Sequence, residues 1–316
     1  MRPMNRPALG LVSMLLLCAA PAFADDLDAV GDGTAAAAPL PPPDEPMPLL
    51  RPTYTVGPGD TIQVRVYEEE RLSGSYPVTP DGRVDLPWVG KVNVAGALIK
   101  AGADVDKASK DGYTPLHAAA HQGMVDVVVL LIKAGGDAAK ANQDGGTPLH
   151  LAALNGKVDV AVALINAGAD VDNALEDGYT PLHAAAQEGM ADVAVALIKA
   201  GADVDKAEKD GYTPLFAATQ EGMVDVAVAL IKAGADVDKA SKDGVTPLYV
   251  AAQKGLVDVV DAMIKVGADL DEADKDGYTP LFAAAQKGMA DVAVALIKAG
   301  ADVGKATKNG YTPLHA

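Results

Sequence analysis

The sequence predicts a mainly α-helical solenoid behind a small N-terminal β segment, and three observations carry that reading. Asp-Gly or Asn-Gly recurs at Asp111, Asp144, Asp177, Asp210, Asp243, Asp276 and Asn309, always 33 residues apart, and a fixed period of this length marks a stacked repeat. Each interval holds two apolar stretches punctuated by glycine, too small to bury both faces alone, so neighbours must cover one another. The chain before residue 97 is composed differently. All six Arg lie before residue 84, and fourteen of 21 Pro lie at or before Pro87, the other seven recurring once per repeat.

Within a repeat, Thr114, Thr147, Thr180, Thr213, Thr246, Thr279 and Thr312 each precede Pro. That pair is an N-cap hydroxyl followed by a residue whose missing N–H is harmless at N1, so a short helix starts there. Its Ala-Ala pairs, such as Ala118-Ala119 and Ala184-Ala185, lack bulk and admit a close neighbour. Gly123, Gly156, Gly189, Gly222, Gly255 and Gly288 end it. A second helix carries apolar positions such as Val127, Val128, Leu130, Leu131 and Ile132. It stops at Gly135 and the equivalents Gly102, Gly168, Gly201, Gly234, Gly267 and Gly300. An extended loop completes the unit.

The repeated D-G-Y-T-P-L-H-A-A-A-x-x-G-M-x-D-V-A-V-A-L-I-K-A-G-A-D-V-D-K-A resembles the ankyrin repeat in its T-P-L-H, A-A, G and G-A-D positions, over residues 97–316. The reading divides this region into a half repeat 97–110, full repeats 111–143, 144–176, 177–209, 210–242, 243–275 and 276–308, and a partial one, 309–316. Repeats 177–209 and 276–308 match at 29 of 33 positions, which points to recent duplication. The last full repeat keeps an apolar flank, so fraying or a shortened coding region is expected at that end. Ankyrin proteins bind other proteins through loop tips and the first helix, so the resemblance implies partner contacts at Tyr113, Tyr179, Tyr212 and Tyr278 and at Gln122, Glu188, Glu221, Lys254 and Lys287. Tyr suits interface hot spots; it equally suits packing between loops, and the residues alone leave both readings open.

The first 24 residues place Arg2 and Arg6 before an apolar run, Ala8 to Cys18, and end in Ala22-Phe23-Ala24. This is the layout of a cleavable secretory signal, and the run is shorter than the roughly 20 residues of a membrane span. Leu17 before Cys18 disfavours a lipid anchor. Removal of the signal takes the chain's one cysteine with it, leaving no disulfide. Residues 25–53 are Pro- and Ala-rich and read as an extended spacer. Ile62, Val64 and Val66 then alternate with polar residues as in a strand, and Pro80-Asp81-Gly82 and Val89-Gly90 bound two further short strands.

Tyr54 to Asp60 (Y-x-V-G-P-G-D), Val78 to Val84, Leu86 to Val92 and Val94 to Gly96 resemble the opening of the polysaccharide biosynthesis/export family. Members of that family form rings that carry polysaccharide across the outer membrane. After Gly96 the chain passes straight into Ala97-Leu98-Ile99-Lys100-Ala101-Gly102, in phase with residues 196–201, and Val94-Ala95 fits both patterns. The junction therefore reads as a fusion at a short shared sequence, real or introduced in sequence assembly, and residues 54–96 as half a domain, marginal alone.

A formal charge of −17 repels phosphate backbones and anionic lipid. Nucleic acid is excluded as a partner. His117, His150, His183 and His315 share a slot that is Phe216, Tyr249 and Phe282 elsewhere, which points to packing and local hydrogen bonding rather than catalysis. Separation of these histidines by whole repeats leaves no acid, base and nucleophile set within reach, and Ser is limited in the array to Ser109 and Ser241, so the expectation is a non-enzyme without cofactor or metal. The Asp-x-Asp pairs, Asp104/Asp106 and its counterparts, read as a solvated acidic edge rather than as a calcium cage. The function expected is an exported, periplasmic or outer-membrane-associated scaffold for a protein partner; the alternative is a component of polysaccharide export in which repeats replace the later domains.

Overall fold

The computed structural model describes four strands between residues 61 and 93, residues 96 and 99, and residues 102–316. The signal, the spacer and the Tyr54 to Asp60 element lie outside the described residues. The strands form two antiparallel hairpins. β1 (Thr61–Val64) pairs with β2 (Gly74–Pro77), Ile62 opposite Tyr76, and β3 (Arg83–Leu86) pairs with β4 (Gly90–Asn93), Val84 opposite Val92. The alternation and turns pointed to β1, β3 and β4. β2, Gly-Ser-Tyr-Pro, carries no alternation and is a strand that the sequence pattern does not signal.

From residue 111 onward the helices come in pairs, as the period requires. The first helices are α1 (Pro115–Gln122), α3 (Pro148–Leu154), α5 (Pro181–Gln187), α7 (Pro214–Glu221), α9 (Pro247–Lys254) and α11 (Pro280–Lys287). The second are α2 (Val125–Lys133), α4 (Val158–Asn166), α6 (Ala191–Lys199), α8 (Val224–Lys232), α10 (Val257–Val266) and α12 (Ala290–Ala299). A 3₁₀ turn, Pro313–His315, follows. Each first helix packs on the next first helix and each second helix on the next second, giving two layers.

The threonine caps form as their spacing requires. Thr114, Thr180, Thr213, Thr246 and Thr279 accept from the backbone N–H three residues on, with Pro in the first turn. Thr147 sits in the same extended backbone but meets its helix through the His150 ring. The first helices end where φ turns positive, as at Gly123 (78°) and Gly222 (79°).

The core is the stack itself. Leu116, Leu149, Leu182, Leu215 and Leu248 are fully buried in the first-helix layer, with Leu281 at 2% exposure; Leu164, Leu197, Leu230, Met263 and Leu296 are fully buried in the second. Burial of one such side chain stabilises by roughly 2 kcal/mol, and here a neighbouring repeat supplies the cover. The alanine pairs Ala152-Ala153, Ala185-Ala186 and Ala251-Ala252 are fully buried, which is the close approach their size permits. Thr219 takes an alanine slot, and its buried hydroxyl donates to the Leu215 carbonyl at 2.7 Å.

Candidate binding surface

The surface is built from the hairpin loops between helix pairs and from the ends of the first helices. Each loop closes on itself: Ser109 N–H donates to the Tyr113 carbonyl at 2.8 Å and Gly112 N–H to the Ser109 carbonyl at 3.1 Å, and the pattern recurs to Thr307–Tyr311. Glycine is required at the tip. Gly178 has φ +94°, and a Cβ there would lie 3.0 Å from Glu208 Cα of the next loop. Loops are also tied to one another, since Gln143, Lys209, Lys242, Lys275 and Lys308 N–H donate to the carbonyls of Asp111, Asp177, Asp210, Asp243 and Asp276.

Where tyrosine follows the tip, it folds back onto the residue four positions on; Gly146 and Val245 take its place in two repeats. Ring centroids lie 5.5 Å apart for Tyr113–His117, 5.6 Å for Tyr179–His183, 4.5 Å for Tyr212–Phe216 and 4.8 Å for Tyr278–Phe282. Tyr179 is 8% exposed and its hydroxyl donates to Gln187 Oε1 at 3.0 Å. Burial, with the charges of Glu208, Glu188 and Asp177, pushes that hydroxyl's pKa far up. Tyr113, Tyr212 and Tyr278 are half-buried, and the last two border a cluster of Phe216, Val245, Tyr249, Val250 and Ala283. At the helix ends Gln122, Glu188, Lys254 and Lys287 are exposed and Glu221 is half-buried. Consecutive first helices place these five on one side of the stack, so tyrosines and polar residues form two neighbouring rows.

The histidines do structural work. His117 Nδ1 accepts from Thr114 N–H at 3.1 Å and lies 2.8 Å from the Thr114 hydroxyl; Nε2 lies 3.0 Å from the Gly146 carbonyl, which only accepts. The neutral ring protonated on Nε2 meets all of these contacts. It bridges one repeat to the next. His150 reaches the Tyr179 carbonyl at 3.3 Å and His183 the Tyr212 carbonyl at 3.1 Å in the same way. Burial lowers the His117 pKa and takes His150 and His183 down to about 4, their carbonyl bonds opposing only in part. This is the packing and local bonding expected of that slot, with an inter-repeat bond that the period alone did not reveal.

The Asp-x-Asp carboxylates are spent on backbone. Asp104 Oδ1 accepts from Asp106 N–H at 3.0 Å, and Asp106 Oδ1 accepts from Asp137 N–H of the next loop at 2.9 Å. Asp172, Asp205, Asp238 and Asp271 repeat the second bond toward Asp203, Asp236, Asp269 and Asp302. Lys140, Lys206, Lys239 and Lys305 then donate to the carbonyls of Asp106, Asp172, Asp205 and Asp271. Among the described residues no group of three or more His, Cys, Asp or Glu is placed to hold a metal. Glu208, half-buried between loops, has its pKa raised to about 7 by burial, then by Asp177 and Asp210.

Helix pairs capped by Thr-Pro, joined by hydrogen-bonded hairpins and stacked without insertion, define a repeat-solenoid binding protein. The chain belongs to the ankyrin-repeat family, whose model of three consecutive repeats matches residues 88–174, 163–241 and 234–307. The model of the polysaccharide biosynthesis/export protein family matches residues 50–105, so the two matches overlap at 88–105. The chain is similar to the crystal structure of the ankyrin repeat domain of Bcl-3, a member of the IkappaB protein family, with a TM-score of 0.59 and 28% identity over 65% of this chain and 94% of that one. It is also similar to two Escherichia coli proteins named polysialic acid transport protein KpsD, 45% and 43% identical over 47 residues. That is 15% of this chain and 8% of each relative, so the chain spans a small fraction of the length of those curated proteins. Among the described residues no helix is long and apolar enough to cross a membrane.

Proposed function

We propose that this chain is an exported, non-enzymatic scaffold whose ankyrin array binds a protein partner across its tyrosine row and first-helix ends. The observation that carries the reading is the polar row, exposed at Gln122, Glu188, Lys254 and Lys287 and half-buried at Glu221, held at repeat spacing beside the half-buried rings of Tyr113, Tyr212 and Tyr278. A platform with aromatic rings and adaptable polar ends is what a protein interface uses at its centre and rim. Tyr179 belongs to the same row but serves chiefly to close the loop over His183. The division proposed is a signal, 1–24, a spacer, 25–53, an export-like β segment, 54–96, and the array, 97–316. Export to the periplasm or outer membrane rests on the signal-like start and on the export-family match at 50–105.

The test is cross-linking and mass spectrometry of the tagged chain in its host, with wild type compared with Gln122→Ala/Lys254→Ala/Lys287→Ala. These side chains leave the core untouched, so a cross-linked partner lost from the variant supports the surface; one equally retained moves the site elsewhere. The export-family match and the 47-residue likeness to proteins named for polysialic acid transport favour a second reading, a component of polysaccharide export. That reading requires ring-sized oligomers in membrane extracts, and a monomer in every detergent counts against it.

A further inference from the structure

We propose that the array carries a built-in hinge at the seam between residues 137–146 and residues 170–179, where the loops part while the helices stay stacked. Near-identical repeats provide their own controls, because the backbone tie and the loop-to-loop carboxylate bond recur at each of the other five seams. At this seam Ala139 stands where Asp106, Asp172, Asp205, Asp238 and Asp271 accept an N–H from the following loop, so Asp170 N–H lacks that carboxylate. Asn173 stands where Lys140, Lys206, Lys239 and Lys305 reach back to a carbonyl. The backbone tie is missing as well: five loops donate to the preceding Asp carbonyl, but Glu176 N–H does not bond Asp144.

Charge adds to this at two of the closed seams. Lys242 pairs with Asp210 at 3.9 Å and Lys275 with Asp243 at 3.4 Å, whereas Glu176 occupies that lysine position opposite Asp144. Leu175 replaces the polar residue that ties other loops to their own tip, such as Ser109 to Tyr113 N–H or Asp274 to Tyr278 N–H. The gap is measurable. A Cβ on Gly145 would find its nearest neighbours, Leu175 Cα and Cδ2, at 3.6 Å, against 2.9 Å at Gly112, 3.0 Å at Gly178 and Gly277, 3.1 Å at Gly211 and 3.3 Å at Gly244. What remains is the 3.3 Å bond from His150 to the Tyr179 carbonyl and the packing of α3 on α5 and α2 on α4. The hinge axis therefore runs along the helices, and the helix pairs on either side move as units while the loop of residues 170–179, tied by backbone only to the loop after it, loses support for its own internal bonds.

Residue-resolved hydrogen exchange on the full chain tests this. Leu175 N–H and Gly178 N–H are bonded within their own loop at 2.9 Å, as are Glu208 N–H and Gly211 N–H in a closed seam. After correction for intrinsic rates the first pair should exchange at least tenfold faster. The variant Ala139→Asp/Asn173→Lys/Leu175→Ser/Glu176→Lys, which installs only residues that other repeats already use, should remove that difference at Gly178. A spin-label pair at Gln143→Cys and Glu176→Cys, with Cys18→Ser, should give a distance distribution at least twice as broad as one at Lys209→Cys and Lys242→Cys. Exchange within twofold for the two pairs, or equal widths, overturns the hinge.

Discussion

Replacing His150 and His183 by Phe should make the array weaker at neutral pH and stronger in acid. Both rings are buried, held neutral, and titrate near 4 rather than the ordinary 6.5. The unfolded chain therefore takes up the proton first as pH falls from 6.5 to 4, and stability is lost across that window and regained as pH rises. With those two values the linkage at pH 4.5 is about 2.5 kcal/mol per histidine, or about 5 kcal/mol for the pair. Against it stands the loss of two inter-repeat hydrogen bonds, about 1 kcal/mol each at any pH. Phe fits the slot without strain, since Phe216 and Phe282 occupy it at 2% and 5% exposure. Urea unfolding followed by circular dichroism at pH 7 and pH 4.5 is the assay. The variant should be about 2 kcal/mol less stable at pH 7 and about 3 kcal/mol more stable at pH 4.5. A change of the same sign and size at both pH values refutes the neutral, Nε2-protonated bridge.

Glu272 occupies the position from which Lys140, Lys206, Lys239 and Lys305 reach a carbonyl, and burial with Asp238, Asp269 and Asp236 raises its pKa. Glu272→Lys should stabilise the array by about 0.5–1 kcal/mol at neutral pH, read as a higher urea midpoint. Glu208, with its pKa raised to about 7, binds its proton more tightly folded than unfolded, so it weakens the fold as pH rises from 4.5 to 7. Glu208→Ser should add about 1 kcal/mol at pH 8 after allowance for solvent screening, and little at pH 4.5; equal gains at both pH values speak against the titration. Gly178→Ala should lower the melting temperature more than Gly201→Ala. Both have φ near +93°, but a Cβ at 178 meets the next loop at 3.0–3.1 Å while one at 201 meets nothing within 4 Å.

The period, the helix starts at Thr-Pro and the helix stops at glycine were legible because each is a local rule repeated in phase. Seven threonines at one interval leave little freedom for anything else. The destination of the His117 Nε2 proton was not legible, because its acceptor lies 29 residues away and exists only once repeats stack. The same holds for Asp106 and Asp137, 31 apart. Tyr179 and Tyr278 look alike in sequence, yet one is buried and the other half-buried; the difference comes from neighbouring repeats rather than from the residue. β2 escaped because Gly-Ser-Tyr-Pro has no face of its own and pairs only through its backbone.

Repeats 177–209 and 276–308 differ at four positions, and each falls on a contact between repeats or on the surface. His183 against Phe282 decides whether the next loop's carbonyl is bonded by a side chain. Asp205 against Gly304 decides whether a following N–H finds a carboxylate, as Asp236 does at 2.8 Å. Glu208 against Thr307 exchanges a group titrating near 7 for a hydroxyl that accepts from Tyr311 N–H at 3.1 Å. Glu188 against Lys287 reverses the charge at a first-helix end while the helix beneath keeps its buried leucine, Leu182 or Leu281. The 29 shared positions build the helix pair and its layers. The differences between these two copies thus fall at junctions and on surface charge while the buried leucines beneath them stay fixed.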